Sequence, residues 1–213
     1  MSSSNDHRSA LFPRWKQVSG FLSSAEHAEL LQFAQDHESQ FEQTTVAASG
    51  DEARNIRHRS SRKLVTGLGE WKPRLRARLA EIFPAVCDEV GLKDPSFARI
   101  ELEIVAHNDG DHFGRHLDTL YYGSRSHEKT ARFLSGVYYF FREPRPFSGG
   151  ELRMFPFDSQ TYSTDYVDIV PQNNSIVFFP AFAAHEVLTV TCNTGAFRDC
   201  RFSVNCWFHR ELR

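Results

Sequence analysis

Arg201-Phe-Ser-Val-Asn-Cys-Trp207 is the stretch on which the fold turns. In an extended strand successive side chains point to opposite faces, so Arg201, Ser203, Asn205 and Trp207 share one face and Phe202, Val204, Cys206 and Phe208 the other. If the aromatic face meets an outer core and helices, Arg201 and its neighbours line the interior of a barrel. A guanidinium there is costly to bury without an anion. A dicarboxylate would supply one through a bidentate pair. Taken alone, the strand reads better as an edge strand whose Arg snorkels to water.

Upstream lie further short runs rich in Val, Ile, Phe and Tyr, separated by Gly, Pro, Asn and Asp clusters. Residues 98–106, 132–141, 151–156, 166–169, 175–179, 186–190 and 201–209 read as strands, a pattern of sandwiches and jelly rolls. The N-terminal third has a different texture. Ser23-Ser-Ala-Glu26 has capping-box spacing and precedes a stripe of Ala28, Leu31 and Ala34, which predicts a helix over 24–38. Leu75, Leu79, Ile82, Val86 and Val90 form a second stripe behind Pro73, ending at Gly91. Pro84 is expected to kink that helix or split it in two. The reading is one α+β domain over 1–213: a disordered 1–10, a helical part over 11–96 packed on one sheet, and a strand core over 97–213.

Composition narrows the function classes. The 213 residues carry 25 Lys+Arg against 27 Asp+Glu, a net charge of -2 that argues against a nucleic-acid binder built on bulk electrostatics. A mean hydropathy of -0.46 argues against burial in a membrane. The N-terminus MSSSNDHRSA has no apolar h-region, so the expected location is the cytoplasm. Four cysteines at irregular spacing make neither a disulfide scaffold nor a zinc pair and read as packed, reduced thiols.

The chemistry concentrates in His116-Leu-Asp118. At a strand end residues i and i+2 point the same way, so His116 and Asp118 converge. His185 lies in the apolar stretch after Phe178 and, in a jelly roll, is expected to face them across the barrel. Two imidazoles and a carboxylate on one face of an ion form the facial triad of non-haem Fe(II) sites. The plainer alternative is a set of histidines hydrogen-bonded in a core. His112 reads as a loop residue near the entrance. The basic run Arg54, Arg57, His58, Arg59, Arg62 and Lys63 reads as a solvated loop or one paired with nearby carboxylates, and secondarily as a place for substrate contacts. Tyr121 and Tyr122, in the polar loop after Asp118, are candidates for a lid or for rim packing.

His116-x-Asp118, His185 and Arg201-x-Ser203 followed by Trp207 together resemble the 2-oxoglutarate/Fe(II)-dependent dioxygenase superfamily, in its prolyl-4-hydroxylase-like branch. Val137-Tyr-Tyr-Phe-Phe141, Ser148-Gly-Gly-Glu-Leu152 and Phe155-Pro156 are similar to segments of the hypoxia-type prolyl hydroxylases, and the likeness runs from about Ile100 to Phe208. The resemblance implies a double-stranded β-helix holding Fe(II) on His116, Asp118 and His185. It implies 2-oxoglutarate as cosubstrate with its distal carboxylate on Arg201, O2 as oxidant and ascorbate as accessory reductant. Tyr139, Leu152, Ser203 and Trp207 would line the cosubstrate pocket. Where the family usually has a Tyr nine residues before the first ligand, this chain has His107, readable as a substitute donor or as a surface residue. The His185–Arg201 interval is longer than usual, so 191–199 looks like an insertion and Arg198 is a second candidate anchor. Halogenating relatives replace the carboxylate; Asp118 is present, which implies hydroxylation. The implied substrate is a prolyl residue of a protein or peptide, with succinate and CO2 released. A free amino acid or other small metabolite is the alternative, and a non-catalytic metal- or ligand-sensing barrel a third reading. Neither nucleic acid nor membrane is an expected partner.

Overall fold

The computed structural model describes residues 11–44, 59–93, 96–119, 129–157 and 165–212. Residues 1–10, Arg54, Arg57 and His58 of the basic run, and Tyr121 and Tyr122 lie outside that set. In chain order the elements are β1 (Lys16–Ser19), α1 (Ser24–Asp36), β2 (Phe41–Gln43), β3 (Arg59–Ser60), β4 (Arg62–Leu64) and α2 (Trp71–Val90). The strands β5 (Arg99–His107), β6 (His112–His116), β7 (Thr130–Phe140), β8 (Ser148–Gly149) and β9 (Leu152–Met154) follow. The chain closes with β10 (Val167–Ile169), β11 (Ser175–Pro180), β12 (His185–Val187), β13 (Val190–Thr191) and β14 (Arg201–Glu211).

The strands form a seven-stranded sheet in the order β1-β11-β7-β14-β5-β4-β2, a five-stranded sheet in the order β10-β9-β12-β6-β3, and the small pair β13-β8. Every strand pairing among the described residues is antiparallel. The chain alternates between the two sheets, which makes the core a double-stranded β-helix in an α+β fold.

Local chemistry accounts for the helices. Ser23 Oγ accepts the Glu26 backbone N–H at 3.3 Å while Glu26 Oε2 accepts the Ser23 N–H at 3.1 Å, closing the capping box at the start of α1. In α2, Leu75, Leu79, Phe83, Val86 and Val90 are buried on one face, and Gly91 ends the helix with φ 75°. Against the expected kink or split, α2 runs as one element through Pro84. Pro84 and Ala80 both lie on the exposed face, where the carbonyl that the missing N–H leaves unpaired is open to solvent.

Both helices pack on the outer face of the large sheet. Phe202, Val204, Cys206 and Phe208 point into that core, and Phe83 of α2 stacks on Phe208 at 4.9 Å and 19°. A second cluster, including Tyr139, Leu152, Val177 and Phe179, fills the space between the sheets. The N-terminal part is less helical than its pattern predicts. β1, β2 and β3 are edge strands of the same two sheets, and β4 lies between β5 and β2. They are two to four residues long and too short to show a period, so their cross-strand partners alone define them.

Candidate metal centre

His116 closes β6 and His185 opens β12, and the two residues pair directly in the register of the small sheet. They are therefore neighbours in one sheet, not partners across the barrel as the spacing suggested; the five intervening strands return β12 alongside β6. Asp118 lies just past β6, where its N–H and that of Thr119 both donate to the Ala181 carbonyl at 3.0 Å. The ligand atoms of all three side chains lie within 4.8 Å of one another. His116 Nε2 is 3.6 Å from Asp118 Oδ1 and His185 Nε2 is 3.7 Å from Oδ2.

Hydrogen bonding sets the tautomers. His116 Nδ1 is 2.8 Å from the Gly114 carbonyl and His185 Nδ1 is 2.9 Å from that of Ala183. A carbonyl only accepts, so each Nδ1 carries a proton, and Nε2 is the atom that each ring turns toward Asp118. Ser135 Oγ donates to Asp118 Oδ2 at 2.6 Å. Burial alone would raise the Asp118 carboxyl, but the charge of His185, the bond and charge of His116 and the Ser135 hydroxyl hold it well below the usual carboxylate range. Burial and then the neighbouring His116 push His185 down to about 4, with Asp118 acting in the opposite sense. Near neutral pH the site thus holds an ionised Asp118 and a neutral His185, the charge states in which those groups ligate a metal.

Arg201 begins β14 and is 1% exposed. Its Nε donates to the Gly150 carbonyl at 2.9 Å and its Nη1 faces His107 Nδ1 at 3.4 Å. No described carboxylate pairs with it. The guanidinium lies over the Tyr139 ring at 4.8 Å, and the Tyr139 hydroxyl and His107 Nε2 are both buried without a hydrogen-bond partner. His107 is buried, not at the surface, and burial, followed by the charges of Arg201 and Arg59, holds its imidazole well below its ordinary value. The Gly149-Gly150 pair makes room for this cradle. A Cβ on Gly150, at φ 71°, would sit 2.6 Å from Arg201 Cδ. Leu152, Ser203 and Trp207 line the same cavity as the triad, and Arg198, the second candidate anchor, is exposed.

The buried cation with two orphaned polar groups beside it is the arrangement a small dianion would complete, and the triad offers the nitrogen and oxygen donors that Fe(II) takes. The residues present fit both groups. Sequence reasoning gave no role to three neighbours, Ser135, Asn205 and Phe113. Ser135 shares a strand face with Val137 and Tyr139, so parity would have found it. Asn205 was placed on the inward face without a role. Phe113, stacked on His116 at 3.6 Å and 16°, carries no local signal, and Arg59, which also lines the cavity, belongs to the basic run read secondarily as a place for substrate contacts. His112, expected in a loop, begins β6 and pairs with Ser60.

Comparison with known proteins gives concordant results. The profile of the 2OG-Fe(II) oxygenase superfamily matches residues 102–209. An uncharacterized PKHD-type hydroxylase of Synechocystis sp. is 32% identical over 201 residues, covering 92% of this chain, and this chain spans 63% of that relative's length. A Pseudomonas putida prolyl-4-hydroxylase superposes with a TM-score of 0.65 at 22% identity, covering 93% of each chain. A Trichoplax adhaerens prolyl hydroxylase in complex with a hypoxia inducible factor peptide fragment superposes at 0.62 and 17% identity, covering 92% of this chain and 83% of that one. At these identities the two solved structures speak for the fold.

Proposed function

This chain belongs to the 2OG-Fe(II) oxygenase superfamily, and on that premise we propose that it hydroxylates a C–H bond, with a prolyl residue of a protein or peptide as the leading substrate. The observation that carries the reading is a His–Asp–His cluster sharing one cavity with a buried guanidinium that lacks a described carboxylate partner. The prolyl assignment draws its support from the hydroxylases of similar sequence and fold.

When bound, Fe(II) and O2 supply the oxidation, one oxygen atom entering the substrate C–H bond and the other the 2-oxo acid, which leaves as succinate and CO2. The chain supplies orientation. His116, Asp118 and His185 would hold the metal, with the Gly114 and Ala183 carbonyls fixing both imidazoles and Ser135 fixing the carboxylate. Arg201 would take the distal carboxylate of the cosubstrate, and His107 and Tyr139 offer their unused polar atoms beside it. Leu152 and the barrel-filling aromatics keep water from this end of the cavity. All four cysteines are buried and free, which suits a reducing compartment such as the cytoplasm.

Adding Fe(II) and 2-oxoglutarate without oxygen should give a weak visible charge-transfer band, and at limiting cosubstrate that band should vanish in Arg201→Ala. Admitting air should release succinate. A wild-type protein that shows no band at saturating ligand and forms no succinate would overturn the reading in favour of a non-catalytic barrel. Mass spectrometry of lysate for a 16 Da gain, dependent on the active protein, then identifies the substrate.

A further inference from the structure

Beside the metal triad and the Arg201 cradle, the cavity wall holds a second guanidinium, Arg59. β3 pairs with β6 so that Arg59 sits opposite Phe113. Its guanidinium lies 4.7 Å over the Phe113 ring, and that ring stacks on His116. Guanidinium, phenyl and metal-binding imidazole therefore form one column, which places Arg59 on the metal side of the cavity. Its Nε donates to Ser61 Oγ at 3.2 Å and one terminal nitrogen to Glu103 Oε1 at 3.2 Å. The other terminal nitrogen makes no hydrogen bond with a described residue. Glu103 Oε2 is 3.8 Å from Lys63 Nζ, so one carboxylate serves two cations and the cluster keeps a net positive charge. Asn205 stands opposite Glu103 on β14, lines the cavity, and makes no hydrogen bond with any described residue.

Stability does not explain this wall. An ion pair at 15% and 21% side-chain exposure is worth little more than an apolar pair of similar shape. What the wall does hold is spare N–H donors on the cavity that the triad and Arg201 also line. We infer that Arg59 and Asn205 recognise the substrate, holding an acceptor oxygen, carbonyl or carboxylate, next to the C–H bond presented to the metal. The inference rests on the oxygenase reading and narrows its substrate class. The preference for an acceptor follows from Glu103: its carboxylate is already shared by two cations, so a substrate ammonium would meet excess positive charge there.

Mn(II) at the triad with 2-oxoglutarate bound gives a readout without turnover, because it broadens proton resonances of any molecule held nearby. The probes are free L-proline and the other free L-amino acids in one arm, and their N-acetyl amides in the other. At least one probe should broaden with wild type. Its affinity should fall about tenfold or more in Arg59→Met, by less in Arg59→Lys, and severalfold in Asn205→Ala. Loss confined to the amides assigns a peptide carbonyl; loss confined to the free acids assigns a carboxylate. The Fe(II)–2-oxoglutarate band should be unchanged in Arg59→Met, showing that the fold and the metal end are intact. Equal broadening in wild type and Arg59→Met, or broadening of no probe by wild type, overturns the inference. A wild-type protein without the band sinks the oxygenase reading itself, a separate failure.

Discussion

At the scale of single residues, His107 bears on how the proposed cosubstrate pocket would work. A guanidinium only donates, so His107 Nδ1 accepts from Arg201 and the proton resides on Nε2, which is buried and unpartnered. An unmet buried donor costs about 1–3 kcal/mol, and a ligand oxygen placed there recovers it. His107→Phe should therefore raise the 2-oxoglutarate concentration for half-maximal band formation about tenfold, while His107→Tyr, which keeps a donor, should stay close to wild type. Titration of the anaerobic band measures both. A His107→Phe protein titrating like wild type would show that Nε2 is idle.

At the scale of elements, β8 and the start of β14 depend on each other. Gly150 lies in the left-handed region at φ 71°, and any Cβ there collides with the aliphatic stem of Arg201. Gly195, at φ 59°, has nothing within 4 Å of its would-be Cβ. Each Gly→Ala change carries the same backbone penalty, about 1–2 kcal/mol. Only Gly150→Ala adds the steric term, so it should weaken 2-oxoglutarate binding at least tenfold while Gly195→Ala leaves it unaltered. Circular dichroism should report an intact sheet in both. Equal binding by the two variants would mean that Arg201 moves aside freely.

Across the whole molecule, Glu101 ties three strands of the large sheet together. It accepts from His209 Nε2 of β14 at 2.9 Å and Arg132 Nη2 of β7 at 2.7 Å, and Arg132 in turn lies 3.9 Å over Trp207. Burial works against its ionisation, yet the bonds and charges of His209 and Arg132 bring its carboxyl down to about 2. The folded value lies below the ordinary 4.5, so ionised Glu101 stabilises the fold above that pH, and the contribution is lost as pH falls through about 2. Denaturant midpoints of wild type and Glu101→Gln should differ by a constant margin from neutral pH to about pH 5 and converge on further acidification. A margin that widens in acid would contradict this account.

Much of this was legible beforehand because it is periodic or chemical. Alternation along Arg201–Trp207 separated the cavity face from the helix face, the apolar stripes located both helices, and the identities of His116, Asp118, His185 and Arg201 suggested an ion and an anion. These properties are local: side-chain direction follows from backbone geometry within a few residues. The tertiary structure alone decided that β12 lies beside β6, that four short N-terminal strands complete the sheets, that His107 turns Nδ1 to Arg201, and that Arg59 of the basic run lies over Phe113, which stacks on the His116 imidazole. Those facts depend on which distant segments pair and in what register. Cross-strand hydrogen bonds and the closure of long loops set that choice, and neither leaves a pattern in the neighbouring sequence.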